Sequence, residues 1–183
     1  MDDGHQNFSL AKDVSLVVVD TEQGFGNGRL IPAGPLRETV TQGLARADAI
    51  VLVGEATLTI PNLPKPILRV RLVSTDADRV RGRRVLAFAG IGHPEKFFRT
   101  LRQADAEIVT TRTFPDHHPY TAGELAGLHN MAQKKSAFLV TTEKDFVRLA
   151  PDERRDIHYL PVTAVFEHAE PLARLLDHIA RQS

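Results

Sequence analysis

Cysteine and tryptophan are both missing from the 183 residues. Without thiols there is no disulfide framework, no cysteine nucleophile and no thiolate-ligated zinc. The lack of cysteine fits a cytosolic protein, where disulfides are rare in any case. Long apolar runs are also missing, none approaching the roughly 18 residues of a membrane-spanning helix. The first residues, MDDGHQNFSLAKD, do not put a basic stretch before an apolar one, so no signal peptide is expected there. Nor is there an excess of one charge. The chain has 23 Lys+Arg against 23 Asp+Glu, a formal net charge of zero that offers nucleic acid no general attraction. What is present is ordinary for a soluble globular protein: 42% hydrophobic and 25% charged residues, in a chain long enough for a sizeable core.

Apolar, β-branched runs alternate with stretches of helical period. Buried strands are predicted at Ser15–Asp20, Ala49–Gly54, Val85–Gly90, Glu107–Thr111 and Ala137–Thr142. Their near-continuous apolarity is what a parallel strand covered on both faces requires. Helices are predicted at Leu36–Ala47, Pro94–Ala104, Thr121–Lys134 and Pro171–Arg181. Proline opens the second of these, and Thr121 with Glu124 forms a capping box at the third. The alternation predicts an α/β fold of mostly parallel sheet with helices on both faces. One stretch breaks the rhythm. Ile67–Ser74 alternates and is followed by a polar run holding Arg79, Arg81, Arg83 and Arg84, which reads as an exposed ribbon or hinge. Those arginines form either a solvated turn or a patch facing phosphate or membrane. The expected organisation is a first part at residues 1–74, a hinge at 75–84 and a second part at 85–183, with a terminal helix free to pack back on the first.

Five segments carry chemistry. Asp2-Asp3-Gly4 offers two carboxylates able to hold Mg²⁺ and a glycine that lets a phosphate approach. Gly24–Glu38, GFGNGRLIPAGPLRE, has four glycines and two prolines between a strand and a helix, far more than a plain connection needs. It is not a Walker A loop, and no G-x-x-x-x-G-K-[ST] occurs anywhere in the chain. Arg37 and Glu38 stand where they can point into a site. Phe114–Thr121, FPDHHPYT, sets Asp116, His117 and His118 between a strand and a capped helix, at the carboxyl edge of the sheet where ligands bind. A carboxylate beside imidazoles suits a metal ligand set or an oriented proton relay. Val140–Leu149, VTTEKDFVRL, repeats that architecture, with Thr142 as N-cap and Thr141, Glu143, Lys144 and Asp145 along the edge. Gly90–Pro94 (GIGHP) is a third such turn, with His93 at its tip.

DDGHQN, the VVVD strand, GFGNGRLIPAGPLRE, FAGIGHPEKFF, FPDHHPYT and VTTEKDFVRL together resemble the tetraacyldisaccharide 4'-kinases, in order and spacing, over nearly the whole chain. The resemblance implies a P-loop-kinase-like fold of two α/β parts joined by a β-ribbon, the first part incomplete here. It implies transfer of phosphate from ATP, with Mg²⁺, to the 4'-hydroxyl of tetraacyldisaccharide 1-phosphate in lipid A biosynthesis. It places the enzyme at the cytoplasmic face of the bacterial inner membrane, in peripheral contact with it and with its lipid substrate, and without a nucleic-acid partner. Residue by residue, Asp2 and Asp3 take the Mg²⁺ role with Gly4 beside them, the family's DDGFQH being DDGHQN here. Asn27, Arg37 and Glu38 take substrate-binding roles, and His117 with Asp116 and Asp3 the catalytic ones, His117 assisting a catalytic aspartate upstream. A membrane-associating helix and a Walker A loop are expected before residue 1, so these residues alone are expected to form a soluble fragment without kinase activity.

Two other readings compete: a metal-dependent phosphoesterase of the DHH type, spelled by Asp116-His117-His118, and a non-catalytic α/β remnant. The phosphoesterase needs further aspartate motifs that the sequence does not supply.

Overall fold

The computed structural model describes residues 4–61 and 64–180, with side chains described up to residue 177. Along the chain run β1 (Leu16–Asp20), α1 (Val40–Ala45), β2 (Ala49–Val53) and β3 (Ile67–Ser74). Next come β4 (Arg84–Ala89), α2 (Pro94–Gln103), β5 (Glu107–Thr113), α3 (Ala122–Lys134), β6 (Phe138–Thr142), α4 (Glu143–Phe146) and β7 (Ile157–Leu160). The chain closes with β8 (Val162–Phe166) and α5 (Glu170–Ala180). Two compact units result: Met1–Leu72 with Ala164–Ser183, and Val73–Thr163. The fold is mixed α/β with mostly parallel sheets.

In the first unit the sheet runs β1-β2-β3-β8, with β1, β2 and β3 mutually parallel. One face gathers Val19, Ile50 and Leu52 under Leu44 of α1, with Phe25, Leu58 and Ile60 added from loops. The other face gathers Ala49, Val51, Leu68 and Val70 under Leu172 and Leu175 of α5. The alternating stretch at Ile67–Ser74 is therefore a strand with a buried side: Leu68 and Val70 are each 2% exposed, and the residues between them face out. It is not an exposed ribbon over that half.

The second unit is a parallel sheet in the order β5-β4-β6-β7. Even and odd residues of β4 serve opposite faces, as a period-two strand must. Val85, Ala87 and Ala89 pack with Phe97, Phe98 and Leu101 of α2, while Leu86 and Phe88 pack with Leu125, Leu128 and Ala132 of α3. Helix α3 starts with the expected capping box, Thr121 accepting from the Glu124 amide and Glu124 reaching back to Thr121. Helices α2 and α3 thus cover opposite faces, and the direction of winding reverses between β4 and β6.

The structure moves one helix boundary and adds two strands. Helix α1 starts at Val40, four residues later than Leu36. Leu36 is instead held in a backbone bridge with Leu30, and Thr39 caps the helix by accepting from the Gln42 amide. The backbone bonds around Pro35 keep this segment out of the helical path, so Arg37 and Glu38 precede the helix. The strands β7 and β8 were not foreseen, because the IHYLPVTAVF run that forms them is broken by Pro161 and is short on each side. The clustered arginines are engaged with neighbours: Arg79 with Asp76, Arg81 with Asp78, Arg84 with Glu107, and Arg83 over the Phe138 ring.

Candidate active site

In a doubly wound sheet, ligands bind at the carboxyl edge where the winding reverses. In the second unit that place is between β4 and β6, and three loops bring polar groups to it. The loop after β4 contributes Gly90, the loop after β5 contributes Asp116 and His117, and the turn of α4 after β6 contributes Lys144, Asp145 and Arg148.

At the centre lies a buried carboxylate. Asp145 is 0% exposed. Its Oδ2 accepts from the Gly90 amide at 3.0 Å and from the Thr142 hydroxyl at 2.7 Å, and its Oδ1 lies 3.4 Å from Arg148 Nη1. The Gly90 carbonyl in turn accepts from the His117 amide at 3.1 Å and faces Arg148 Nη1 at 3.4 Å. Gly90 has no room for a side chain: a Cβ there would stand 2.9 Å from the Tyr120 hydroxyl and 3.2 Å from both Asp145 Oδ1 and the Pro115 carbonyl. Burial, and then the charge of Asp145, push the Tyr120 phenol well above its ordinary pKa.

His117 sits over this frame with φ +61, a left-handed backbone that a non-glycine residue adopts only when its surroundings hold it. Its side chain is 69% exposed. Arg148 Nη2 lies 2.8 Å from its Nδ1, and Lys144 Nζ lies 3.4 Å from its Nε2 and 3.4 Å from Asp116 Oδ1. Partial burial works against ionisation of Asp116, but the Lys144 hydrogen bond and the charges of His117 and Lys144 outweigh it and lower the Asp116 pKa. The neighbouring His118 points elsewhere. It stacks on Phe114 at 4.9 Å between ring centres and bonds Glu124 at 3.0 Å. Glu124 is held at a pKa of about 2, chiefly by the Thr121 amide and then by the Thr121 hydroxyl and His118. His118 is thus part of the α3 cap.

The first unit holds the other expected residues. Glu38 takes a forked pair of bonds from Arg46 at 2.5 and 2.6 Å and one from Gln6 at 2.9 Å, which hold its pKa at about 2. Arg37 donates to Gln6 at 3.3 Å, so Gln6 bridges the pair that the sequence singled out. His5 also has a framework role: its Nε2 donates to the Gly43 carbonyl at 2.9 Å and its Nδ1 accepts from Ser15 at 2.8 Å. In the glycine-rich loop, Gly24, Gly26 and Gly28 all have positive φ, which explains their recurrence. Asn27 spends its side chain on that loop, donating to the Ala33 carbonyl at 2.9 Å and accepting from the Arg29 amide at 3.1 Å. Gly4 is buried. Asp2 and Asp3, the expected metal ligands, lie outside the described residues. Among the described residues no group of three or more His, Asp or Glu side chains is placed to hold a metal ion, so Asp116-His117-His118 does not assemble a bimetallic centre.

Gln6, Arg46 and Arg148 are the contacts that sequence reasoning missed. Only Arg148 left a signal: it stands three residues after Asp145, the spacing that puts two side chains on one helical face.

This arrangement defines an α/β protein with a polar cluster at the switch point of a parallel sheet. A family model described as LpxK, tetraacyldisaccharide-1-P 4'-kinase, matches residues 1–181, and the chain belongs to that family of kinases. It is 52% identical over 181 residues to the tetraacyldisaccharide 4'-kinase of Rhodospirillum centenum, covering 96% of this chain and 54% of that protein. With the enzyme of the same name from Rhodospirillum rubrum it shares 50% identity, over 98% of this chain and 56% of the relative. The chain therefore spans about half the length of the curated relatives it matches. The fold is similar to that of LpxK from Aquifex aeolicus, solved in complex with ATP, with a TM-score of 0.69 and 25% identity over 97% of this chain and 56% of that one.

Proposed function

We propose that this chain belongs to an ATP-dependent kinase that phosphorylates the 4'-hydroxyl of tetraacyldisaccharide 1-phosphate in lipid A biosynthesis. The observation that carries the reading is the His117 cluster: a solvent-facing imidazole in a strained backbone, braced by Arg148 and flanked by Asp116 and Lys144, at the switch point of the sheet. The ATP bound to the Aquifex aeolicus relative supports the choice of phosphoryl donor. Phosphoryl transfer asks little covalent chemistry of a protein and much positioning and charge, which is what such a cluster offers.

In this reading His117 is the catalytic histidine, with Asp116 beside it, and it assists a carboxylate that receives the proton of the acceptor hydroxyl. Asp2 and Asp3 would hold Mg²⁺, with Gly4 leaving room for phosphate, and Asp3 would also serve the reaction. An ion held there would supply neutralisation of phosphate charge. Arg37 and Glu38 contact the substrate, while Asn27 shapes the loop that presents it. Because the acceptor is a lipid, the protein works in peripheral contact with the cytoplasmic face of the inner membrane. No described helix is long and apolar enough to cross a membrane.

The 183 residues contain no Walker A sequence, so the test needs a phosphate loop from elsewhere. The chain is to be fused behind the N-terminal part of the Rhodospirillum centenum relative, and transfer of labelled phosphate from ATP to the disaccharide 1-phosphate followed. The fusion should turn over and the chain alone should not. In the fusion, His117→Ala should lower kcat by about 10²–10⁴ with little change in KM for ATP. His118→Ala should cost much less. Equal, small losses from both would reduce the motif to a turn before a capped helix, and no turnover by the fusion would reject the proposed activity.

A further inference from the structure

The guanidinium beside His117 restricts what that imidazole can do. Arginine has only donors and does not lose its charge in proteins. A guanidinium nitrogen 2.8 Å from His117 Nδ1 therefore requires Nδ1 to be the bare, accepting nitrogen. The opposite tautomer would set an Nδ1–H against an arginine N–H at that distance, two donors facing each other. With Nδ1 bare, a neutral ring carries its proton on Nε2. Lys144 Nζ, another donor, lies 3.4 Å from Nε2, so both ring nitrogens face cations and the much shorter contact at Nδ1 decides the tautomer. The Nε2 side of the ring faces Asp116, whose Oδ2 is 3.7 Å away, while Lys144 donates to the other carboxylate oxygen.

Arg148 is itself held from behind. Its Nη1 reaches Asp145 Oδ1 and the Gly90 carbonyl, both at 3.4 Å, leaving Nη2 for the histidine. Asp145 also takes the Gly90 amide, and the Gly90 carbonyl takes the His117 amide. One buried carboxylate thus fixes His117 twice, through its backbone by way of Gly90 and through its ring by way of Arg148. Such a carboxylate is not stabilising by default. It persists where geometry and satisfied hydrogen bonds compensate its desolvation.

We propose that Arg148, anchored by the buried Asp145, is a positioning residue that locks the His117 ring in the tautomer with its proton on Nε2. In that state His117 is a hydrogen-bond donor toward the solvent side of the site. It is suited to orient a carboxylate. The consequence for catalysis rests on the kinase reading above. The geometry does not.

The test is nitrogen-15 NMR of the His117 ring in the 183-residue chain, recorded at about pH 8, where an ordinary imidazole is neutral. The wild type should show a single fixed tautomer, Nε2 protonated and Nδ1 bare. Arg148→Lys retains a cation for Asp145 but cannot fork between three acceptors, so the His117 signals should move to the average of two exchanging tautomers. The backbone amide spectrum away from the site and the thermal midpoint should stay at their wild-type positions. Asp145→Asn should release the ring in the same way. If that variant does not fold, Arg148→Lys carries the test alone. An averaged or Nδ1-protonated ring in the wild type, or an unchanged ring spectrum in Arg148→Lys, overturns the proposal. In the fusion enzyme, Arg148→Lys should lower kcat about 10²-fold with KM for ATP unchanged, the scale expected of a misplaced catalytic group. A released ring in the NMR experiment together with unchanged kcat would leave the lock standing and sink the catalytic use of His117 instead.

Discussion

β1 and β4 have closely similar sequence patterns, yet they end in different environments. β1 reads LVVVD and β4 reads RVLAFA, both apolar on successive positions, as parallel strands covered on two faces are. β4 lies inside its sheet with a helix on each face, and its five residues from Val85 to Ala89 are 0–1% exposed. β1 is an edge strand. Val17 and Val19 face the α1 side of the core, whereas Leu16 and Val18 remain 39% and 65% exposed among the described residues. The difference shows that apolarity on both faces marks a strand built to be covered twice, and that position in the sheet decides whether the cover is there.

Substitutions in the two strands should separate them sharply. Phe88→Ala empties a fully buried site where the ring meets Phe114 and Tyr120 edge-on, and should destabilise the second unit by about 3–5 kcal/mol in denaturant unfolding. Val18→Thr on the open side of β1 keeps the β-branch and should change stability by no more than about 0.5 kcal/mol. Comparable losses from both would mean that the open face of β1 is covered in solution.

Glycines sharpen the contrast between the units at a smaller scale. Gly90→Ala drives a methyl group against Tyr120, Asp145 and the Pro115 carbonyl, and should cost about 1–3 kcal/mol by overpacking. Gly28→Ala meets nothing within 4 Å, but its φ of +71 should cost about 1–2 kcal/mol through the backbone alone. Asparagine, which tolerates that conformation, should recover part of the loss at position 28 and none at position 90. Recovery at both positions, or at neither, would show that the two causes have been wrongly assigned.

The smallest effect concerns two carboxylates, one in each unit, whose pKa values both fall from 4.5 to about 2. A carboxyl depressed on folding stabilises fully above its unfolded pKa and loses that contribution as pH falls through its folded one. The stability gaps between wild type and Glu38→Gln, and between wild type and Glu124→Gln, should therefore be full above pH 4.5 and close as pH falls to about 2. Glu38 owes its shift first to Arg46, whereas Glu124 owes its shift first to a backbone amide. Concentrated salt should shrink the Glu38 gap more than the Glu124 gap, because it screens an exposed ion pair. Gaps that widen on acidification would contradict both assignments.

Much of the molecule was legible in the chain itself. Five parallel strands, three of the helices and the α3 capping box follow from local rules of period, propensity and capping, which act within one turn or one strand. The strand-to-helix turns at Gly90, Phe114–Thr121 and Thr142 could be placed at the carboxyl edge for the same reason. Family-specific runs such as GFGNGRLIPAGPLRE identified the kinase family. The late start of α1 was not legible, because the pairing of Leu30 with Leu36 competes with the helix across a folded loop. Nor were the partners of the site. Glu38 lies 8 residues from Arg46 and 32 from Gln6, and His117 lies 31 from Arg148 and 27 from Lys144. Sequence alone determined which groups stand at the edge of the sheet. The order β5-β4-β6-β7 decided which of them meet, because it sets the loop after β5 and the turn after β6 on either side of Gly90, close enough for Asp145 and Arg148 to hold the histidine from behind.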